Sequence, residues 1–279
     1  MYIKSIIFPK TKEYSRVYPE NILSRLGKNE ISIYAPVTLI YGSNGSGKST
    51  ILNILAKKLK CKKEACVETK PVYDREENRL VFLLDELAQK SRISRNTNVS
   101  WPENRRLITS AEVLDYVSFK NYYNNEIYNS IKTTMKHMDG WKWEEENGEI
   151  SEGAAYLKNI SERNKYYEMS ARDKTVYSNG EEMLDYFFER LEDDSIYLLD
   201  EPENCLSPVC QKRLAETILD LAQNQNCQFF IASHSPFFLS IKGAQIINID
   251  TIPASDCTHW TELENMQPYF ELFANRKDK

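Results

Sequence analysis

The chain has 279 residues, 41% hydrophobic and 28% charged, with a formal net charge of −5. That length suits one large domain, or a core with one inserted subdomain, and the composition is that of a soluble globular protein. The acidic balance removes any whole-molecule electrostatic case for nucleic-acid binding, and no stretch approaches the roughly 20 uncharged apolar residues of a membrane span.

The N-terminal MYIKSIIFPKTKEY has too short an apolar run for a secretory signal and no small-residue cleavage site. VTLIY (37–41) is a short apolar run that predicts a buried strand, and STILNILAKKL (49–59) has the spacing of a helix. Between them, Gly42-Ser43-Asn44-Gly45-Ser46-Gly47-Lys48-Ser49 satisfies the pattern G-x-x-x-x-G-K-[ST], and Thr50 follows. Three of the chain's nine glycines fall in this loop. Glycine lets backbone N–H groups wrap a phosphate, and the helix start adds its positive dipole end. Lys48 is expected on the β- and γ-phosphates, and the Ser49 hydroxyl on Mg²⁺. A plain strand-to-helix turn has no need of Lys-Ser there, so a nucleoside triphosphate site is the reading.

KKLKCKK (57–63) is locally basic. Lysines ending the helix would complement its dipole, and we prefer this to a DNA-contacting patch. The apolar LVFLLDELA precedes Gln89, and RLITSAEVLDY (106–116) follows. In YSNGEEMLDYFFERL (177–191), Ser178 and Glu181 form a capping box before an amphipathic helix. DSIYLLDEPE (194–203) places an apolar strand directly before Asp200 and Glu201, at the edge where α/β proteins bind ligands. Asp200 would hold Mg²⁺ through water, and Glu201 would activate the attacking water as general base. NCQFFIASHSPFFLS (226–240) repeats the arrangement with His234, which alone of the three histidines ends a predicted core strand. The six cysteines (61, 66, 205, 210, 227, 257) include two C-x4-C pairs, but no histidine pattern completes a zinc site. Reduced thiols in a cytosolic protein are expected.

Phosphate loop, S-x-G-E helix, DEPE strand and strand-end histidine, in that order, resemble the ATP-binding-cassette (ABC) ATPase fold in its soluble branch, alongside SMC proteins and double-strand-break repair ATPases. The likeness is closer still to the compact bacterial AAA-family ATPases of this ABC-like group, in SNGE (178–181), LLDEPENCLSP (198–208), CQFFIASHSPFFLS (227–240) and WTELEN (260–265). The resemblance implies an α/β phosphate-loop fold: a mostly parallel core sheet flanked by helices, one domain over 1–279 with a helical insertion at about 115–176.

It implies further that ATP and Mg²⁺ are bound in a head-to-tail homodimer. The nucleotide on Gly42–Thr50 of one copy is capped by Ser178, Asn179, Gly180 and Glu181 of the other, and hydrolysis at Glu201 releases the pair. Tyr177 stands where transporters commonly have leucine and Asn179 where they have glycine, as in non-transporter members. The magnesium and γ-phosphate sensing role goes to Ser110–Glu112, with Glu112 as the contact, in preference to Gln89. Tyr14 and Tyr18 are candidates for stacking adenine. The expected job is an ATP-dependent switch or clamp on a partner enzyme or on DNA, in genome maintenance or phage defence. The alternatives are a transporter's nucleotide-binding subunit and a binding module with little hydrolysis. The short span before the signature excludes an SMC-type arm, and the roughly 40 residues after SHSPFF leave no room for a built-in nuclease. A partner chain is therefore expected to carry any effector.

Overall fold

The computed structural model describes residues 1–10, 18–63, 75–118 and 179–274. Tyr14, Cys66, Tyr177, Ser178 and most of the expected insertion lie outside the described residues.

Strand β1 (Ile3–Ile7) is followed by helix α1 (Glu20–Arg25), β2 (Glu30–Ser32), β3 (Val37–Tyr41), α2 (Lys48–Leu59), α3 (Arg75–Lys90), β4 (Arg92–Arg95) and β5 (Arg105–Thr109). Residues 110–118 are helical and are labelled α4. After the undescribed segment come α5 (Asn179–Phe188), β6 (Ile196–Asp200), α6 (Pro208–Asn224), β7 (Gln228–Ala232), α7 (Pro236–Leu239), β8 (Gln245–Asn248), β9 (Ser255–Cys257) and α8 (Gln267–Ala274). The main sheet has the order β5-β6-β7-β3-β8-β9, parallel except for β9, which runs antiparallel to β8. A smaller antiparallel sheet has the order β2-β1-β4.

Strands β3 and β7 are buried at every position, and β6 at all but Asp200. A parallel strand covered on both faces needs such an unbroken apolar run. The period of two sorts their side chains. Ile40, Ile196, Leu198 and Phe230 join a core with α2 and the small sheet. Leu39, Tyr197, Leu199, Phe229 and Ile231 join one with α5 and α6. Helix α2 buries Ile51, Leu52, Ile54, Leu55 and Leu59, each contributing about 1.5–3 kcal/mol. It stops at Lys60, which adopts the left-handed conformation at φ 55°. Beside that end Lys57 pairs with Asp85 at 2.7 Å and Lys58 donates to the Gln89 carbonyl. The lysine run thus fastens α2 to α3, leaving Lys60, Lys62 and Lys63 exposed.

Two buried glutamines join the sheets. At the start of β7, Gln228 accepts from the Tyr2 and Ile3 backbone N–H groups at 2.8 and 2.9 Å and donates to the Ile3 carbonyl. At the start of β8, Gln245 accepts from Tyr34 N–H and donates to the Ser32 carbonyl and to Asp256. Each amide substitutes for a strand's ladder where backbones diverge, which keeps the polar groups there satisfied.

Candidate nucleotide site

The parallel register sets Thr109, Asp200, Ala232, Ile40 and Ile247 in one row across β5, β6, β7, β3 and β8. Asp200 stands in this row, and Glu201, His234 and the loop leading to Lys48 and Ser49 follow just beyond it, at the carboxyl edge where parallel sheets bind ligands.

From Tyr41 the chain enters the glycine loop, and two of its glycines are required by space. A Cβ on Gly42 would lie 2.6 Å from Ser46 Oγ and 2.7 Å from Ile249 Cγ1. Gly47 has φ 105°, and a Cβ there would lie 2.3 Å from Ile22 Cγ2. Ser43, Asn44 and Gly45 are exposed, whereas Ser46, Lys48 and Thr50 are buried. Asp250, after β8, holds the loop's outer limb: its carboxylate accepts from Ser43 N–H at 2.6 Å and from Ser43 Oγ at 2.9 Å.

Lys48 occupies the middle of the site. Its ammonium donates to the Gly42 carbonyl at 3.0 Å and the Ser43 carbonyl at 3.3 Å. It also lies 2.5 Å from His234 Nε2 and 3.6 Å from Glu201 Oε1. The next residue, Ser49, donates its hydroxyl to Asp200 Oδ1 at 2.9 Å. Lys48, Ser49, Asp200, Glu201 and His234, separated by up to 186 residues, therefore converge as one constellation.

Glu201 sits in the left-handed region at φ 48° and ψ 52°. That conformation is costly for a side chain with a Cβ and is typical of functional positions. Its N–H donates to the Ala232 carbonyl, and its Oε2 accepts from Asn204. Glu203, the third acid of DEPE, is a residue to which the sequence analysis gave no role. Its Oε1 accepts from Ser233 Oγ at 2.9 Å and from His234 N–H at 2.6 Å, tying the β6 turn to the β7 turn.

Burial shifts these groups. Desolvation raises the Asp200 carboxyl above its ordinary value and Glu201 adds to the rise, against the Ser49 hydrogen bond and the Lys48 and Lys63 charges. Desolvation raises Glu203 despite its hydrogen bonds. His234 is lowered, first by desolvation and then by the Lys48 charge, which keeps the imidazole neutral.

Other expected residues stand elsewhere. Glu112 is buried at 2% exposure, and its carboxylate accepts from Tyr186 Oη of α5 at 2.6 Å. This contact ties Glu112, near the start of α4, to the signature helix α5. Gln89 lies in the last turn of α3, not at a strand end. Tyr18 is half exposed, with its Oη 2.9 Å from Thr50 Oγ1, beside the start of α2. Of the signature, Asn179 and Gly180 open α5, with Glu181 in its first turn.

Two further residues had no role in the sequence analysis: Asp250, and Asn265, which stood there only as the last residue of WTELEN. Asp250 follows the apolar QIIN strand, the same pattern that marks Asp200, so it could have been found. Asn265 could not: its side chain meets His234 Nδ1 at 3.2 Å only through the tertiary fold.

The family model described as ABC transporter matches residues 33–204, more than half of the chain. The chain belongs to the ABC transporter ATPase family. A second model, described as AAA ATPase domain, matches residues 182–239. Three solved structures are similar to this ABC-family chain at low identity. One is an Smc head domain with an extended coiled coil bound to the C-terminal domain of ScpA, from Pyrococcus furiosus. It has 12% identity and TM-score 0.41, covering 99% of this chain and 99% of that one. Another is the SMC head domain from Thermotoga maritima, with 13% identity and TM-score 0.41, covering 92% and 98%. The third is a metal-chelate type ABC transporter in an inward-facing conformation, with 16% identity and TM-score 0.40, covering 96% and 89%. No curated protein matches the chain.

Family membership makes the fold that of an ABC-type phosphate-loop ATPase and makes nucleotide the ligand class. Magnesium fits the residues present: the Ser49 hydroxyl and Asp200 carboxylate are neighbouring oxygen donors, the set this ion takes. Among the described residues no three His, Cys, Asp or Glu side chains converge on a metal. Phosphate and water oxygens would complete the coordination. Nor is any helix among the described residues long and apolar enough to cross a membrane.

Proposed function

We propose that this chain binds ATP with Mg²⁺ on Gly42–Thr50, closes on a second copy of itself, and hydrolyses the nucleotide to reopen. The observation that carries the reading is the placement of Lys48, held at once by the loop carbonyls, His234 and Glu201. An ammonium in that position is the counter-charge for the β- and γ-phosphates, parked on the groups that would act once it moves. When phosphate oxygens take Lys48, Glu201 loses its cation and is free to accept the proton of the attacking water. His234 Nε2 is likewise freed to donate to the γ-phosphate. Bound Mg²⁺, held by Ser49 and Asp200, would neutralise charge developing on the phosphate oxygens.

Capping in trans is what the family resemblance implies for the start of α5, where Gly180 is partly exposed and Glu181 exposed. A Cβ at Gly180 would lie 4.0 Å from Cys210 Sγ and Ser207 Oγ, an ordinary contact distance, and a helix N-terminus is suited to a phosphate. Ser178 to Glu181 of the partner copy would supply the γ-phosphate's last donors. In this reading 1–279 is one ATPase unit, with the segment at about 115–176 as its helical insertion. Closure would serve as a switch for a separate effector protein in the cytoplasm, with DNA a further candidate target. A nucleotide-binding subunit of a transporter is the second reading, favoured by the description of the matching family.

Mixing two variants tests the trans site. Ser178→Arg blocks the cap and Lys48→Ala blocks the loop. A mixed dimer holds one composite site with both lesions and one with neither, so ATP turnover returns on mixing and sedimentation shows an ATP-dependent dimer. No rescue at any ratio refutes the trans arrangement. Purification on membranes with an integral partner would favour the transporter subunit instead.

A further inference from the structure

His234 is engaged at both ring nitrogens. Nε2 lies 2.5 Å from Lys48 Nζ, and Nδ1 lies 3.2 Å from Asn265 Nδ2. An ammonium has no lone pair, so Nε2 must accept from Lys48, and a neutral ring then carries its proton on Nδ1. That N–H needs an acceptor, which Asn265 supplies by presenting its carbonyl oxygen after a half-turn of the amide. Once Lys48 leaves for a phosphate, Nε2 faces oxygen acceptors instead. The favoured tautomer becomes Nε2–H, and Nδ1 then accepts from the Asn265 amide N–H₂.

We propose that Asn265 is a positioning residue that stabilises either tautomer of His234 and lets the ring's proton change nitrogen in step with nucleotide occupancy. The inference rests on the nucleotide reading above. A side-chain amide offers a donor and an acceptor at the same reach, exchanged by a half-turn of the group. Aspartate offers only acceptors, and leucine offers neither.

The surroundings fix both partners. Glu203 holds the His234 backbone N–H, and the Tyr41 ring stands edge-on to the imidazole at 6.1 Å between centroids. The same Tyr41, one residue before the glycine loop, accepts from the Asn265 backbone N–H at 3.2 Å. Leu263 and Met266, at 4% and 1% exposure, anchor the turn that carries Asn265. The charges facing the ring are Lys48 from α2, Glu201 after β6 and Asp250 after β8, and burial together with Lys48 disfavours the imidazolium. With Lys48 in place the ring is therefore neutral.

Long-range ¹H–¹⁵N correlation spectra of the full chain distinguish the two tautomers, with His234 assigned among three histidines by a His234→Asn spectrum. The expected result is Nδ1–H without nucleotide and Nε2–H with a non-hydrolysable ATP analogue and Mg²⁺. Asn265→Asp should stay Nδ1–H in both states, with turnover down about 10-fold or more and KM little changed, as for a misplaced general-acid proton. Asn265→Leu, at an exposed position, should lose the fixed tautomer in both states while keeping its melting temperature. A single tautomer throughout in wild type, with analogue binding confirmed by calorimetry, overturns this inference alone. So does a normal switch in Asn265→Asp. Absence of analogue binding overturns the nucleotide reading and this inference with it.

Discussion

Gly47 stands against a side chain from a different part of the chain, and that contact can be measured. Gly47 has φ 105° and caps α2, and a Cβ there would lie 2.3, 2.8 and 3.0 Å from Cγ2, Cδ1 and Cγ1 of Ile22. Ile22 is on α1 and 4% exposed, so it cannot swing into solvent without leaving the core. An alanine forced into the left-handed region costs about 1–2 kcal/mol. Relieving the overlap in a packed interior costs about 1–3 kcal/mol more. Gly47→Ala should therefore lower the unfolding free energy in urea by about 2–5 kcal/mol, which is the sum of those terms. Ile22→Ala alone leaves a cavity and costs about 2–5 kcal/mol. In the double variant the new methyl has room, so the pair should be less destabilised than additivity predicts, by about 1–3 kcal/mol. The backbone strain remains, which separates the two terms. Gly47→Ala within about 0.5 kcal/mol of wild type, or a strictly additive cycle, would refute the contact and show the glycine to be there for the phosphate alone.

Lys48→Ala should weaken ATP binding in calorimetry by about 2 kcal/mol or more, since the phosphates lose a fixed cation and its charged hydrogen bonds. Glu201→Gln should bind ATP normally and turn over about 10²-fold more slowly in a phosphate-release assay. Glu203→Ala strands the Ser233 hydroxyl and the His234 N–H and should cost about 1–3 kcal/mol, whereas Glu203→Gln keeps an acceptor and should cost less. Because burial raises Asp200 and Glu203, the folded protein binds their protons more tightly than the unfolded chain. Their contribution to stability is present below the ordinary carboxyl range and is lost as pH rises towards the raised values. Melting temperatures across that interval should fall less steeply with pH in Glu203→Gln than in wild type.

Strands β3, β6 and β7 of the main sheet were legible because burial on both faces writes an unbroken apolar run, as in VTLIY, IYLLD and QFFIA. The glycine loop was legible because its chemistry dictates residue types at fixed spacing. The small sheet was not. Its strands are three to five residues long, and in RISR no side chain is fully buried, so no period stands out. LVFLLDELA, before Gln89, lies in a helix, where Leu84 and Leu87 face the core while Val81 and Phe82 are exposed. The contact of Glu112 with Tyr186, 74 residues away, leaves no local trace in the sequence. The contacts of Asp250 with the loop and of Asn265 with the histidine span 207 and 31 residues; the apolar run before Asp250 marks a strand end, but not its partner.

Gln228 fixes an order of events in folding. Its amide meets Tyr2 and Ile3 across 226 and 225 residues, so the seam between the sheets closes a loop of almost the whole chain. Closing so long a loop carries a large entropic cost that is recovered only when the surrounding core is already formed. On the ribosome the first strand emerges about 10–45 s before the residue that completes it, a gap of 225 residues at ordinary synthesis rates. Through that interval the seam-side backbone groups of Tyr2 and Ile3 have no native partner from β7. Welding the two sheets together late thus gives the nascent chain a period of vulnerability to wrong pairing, which a chaperone or the small sheet's own early assembly would have to cover.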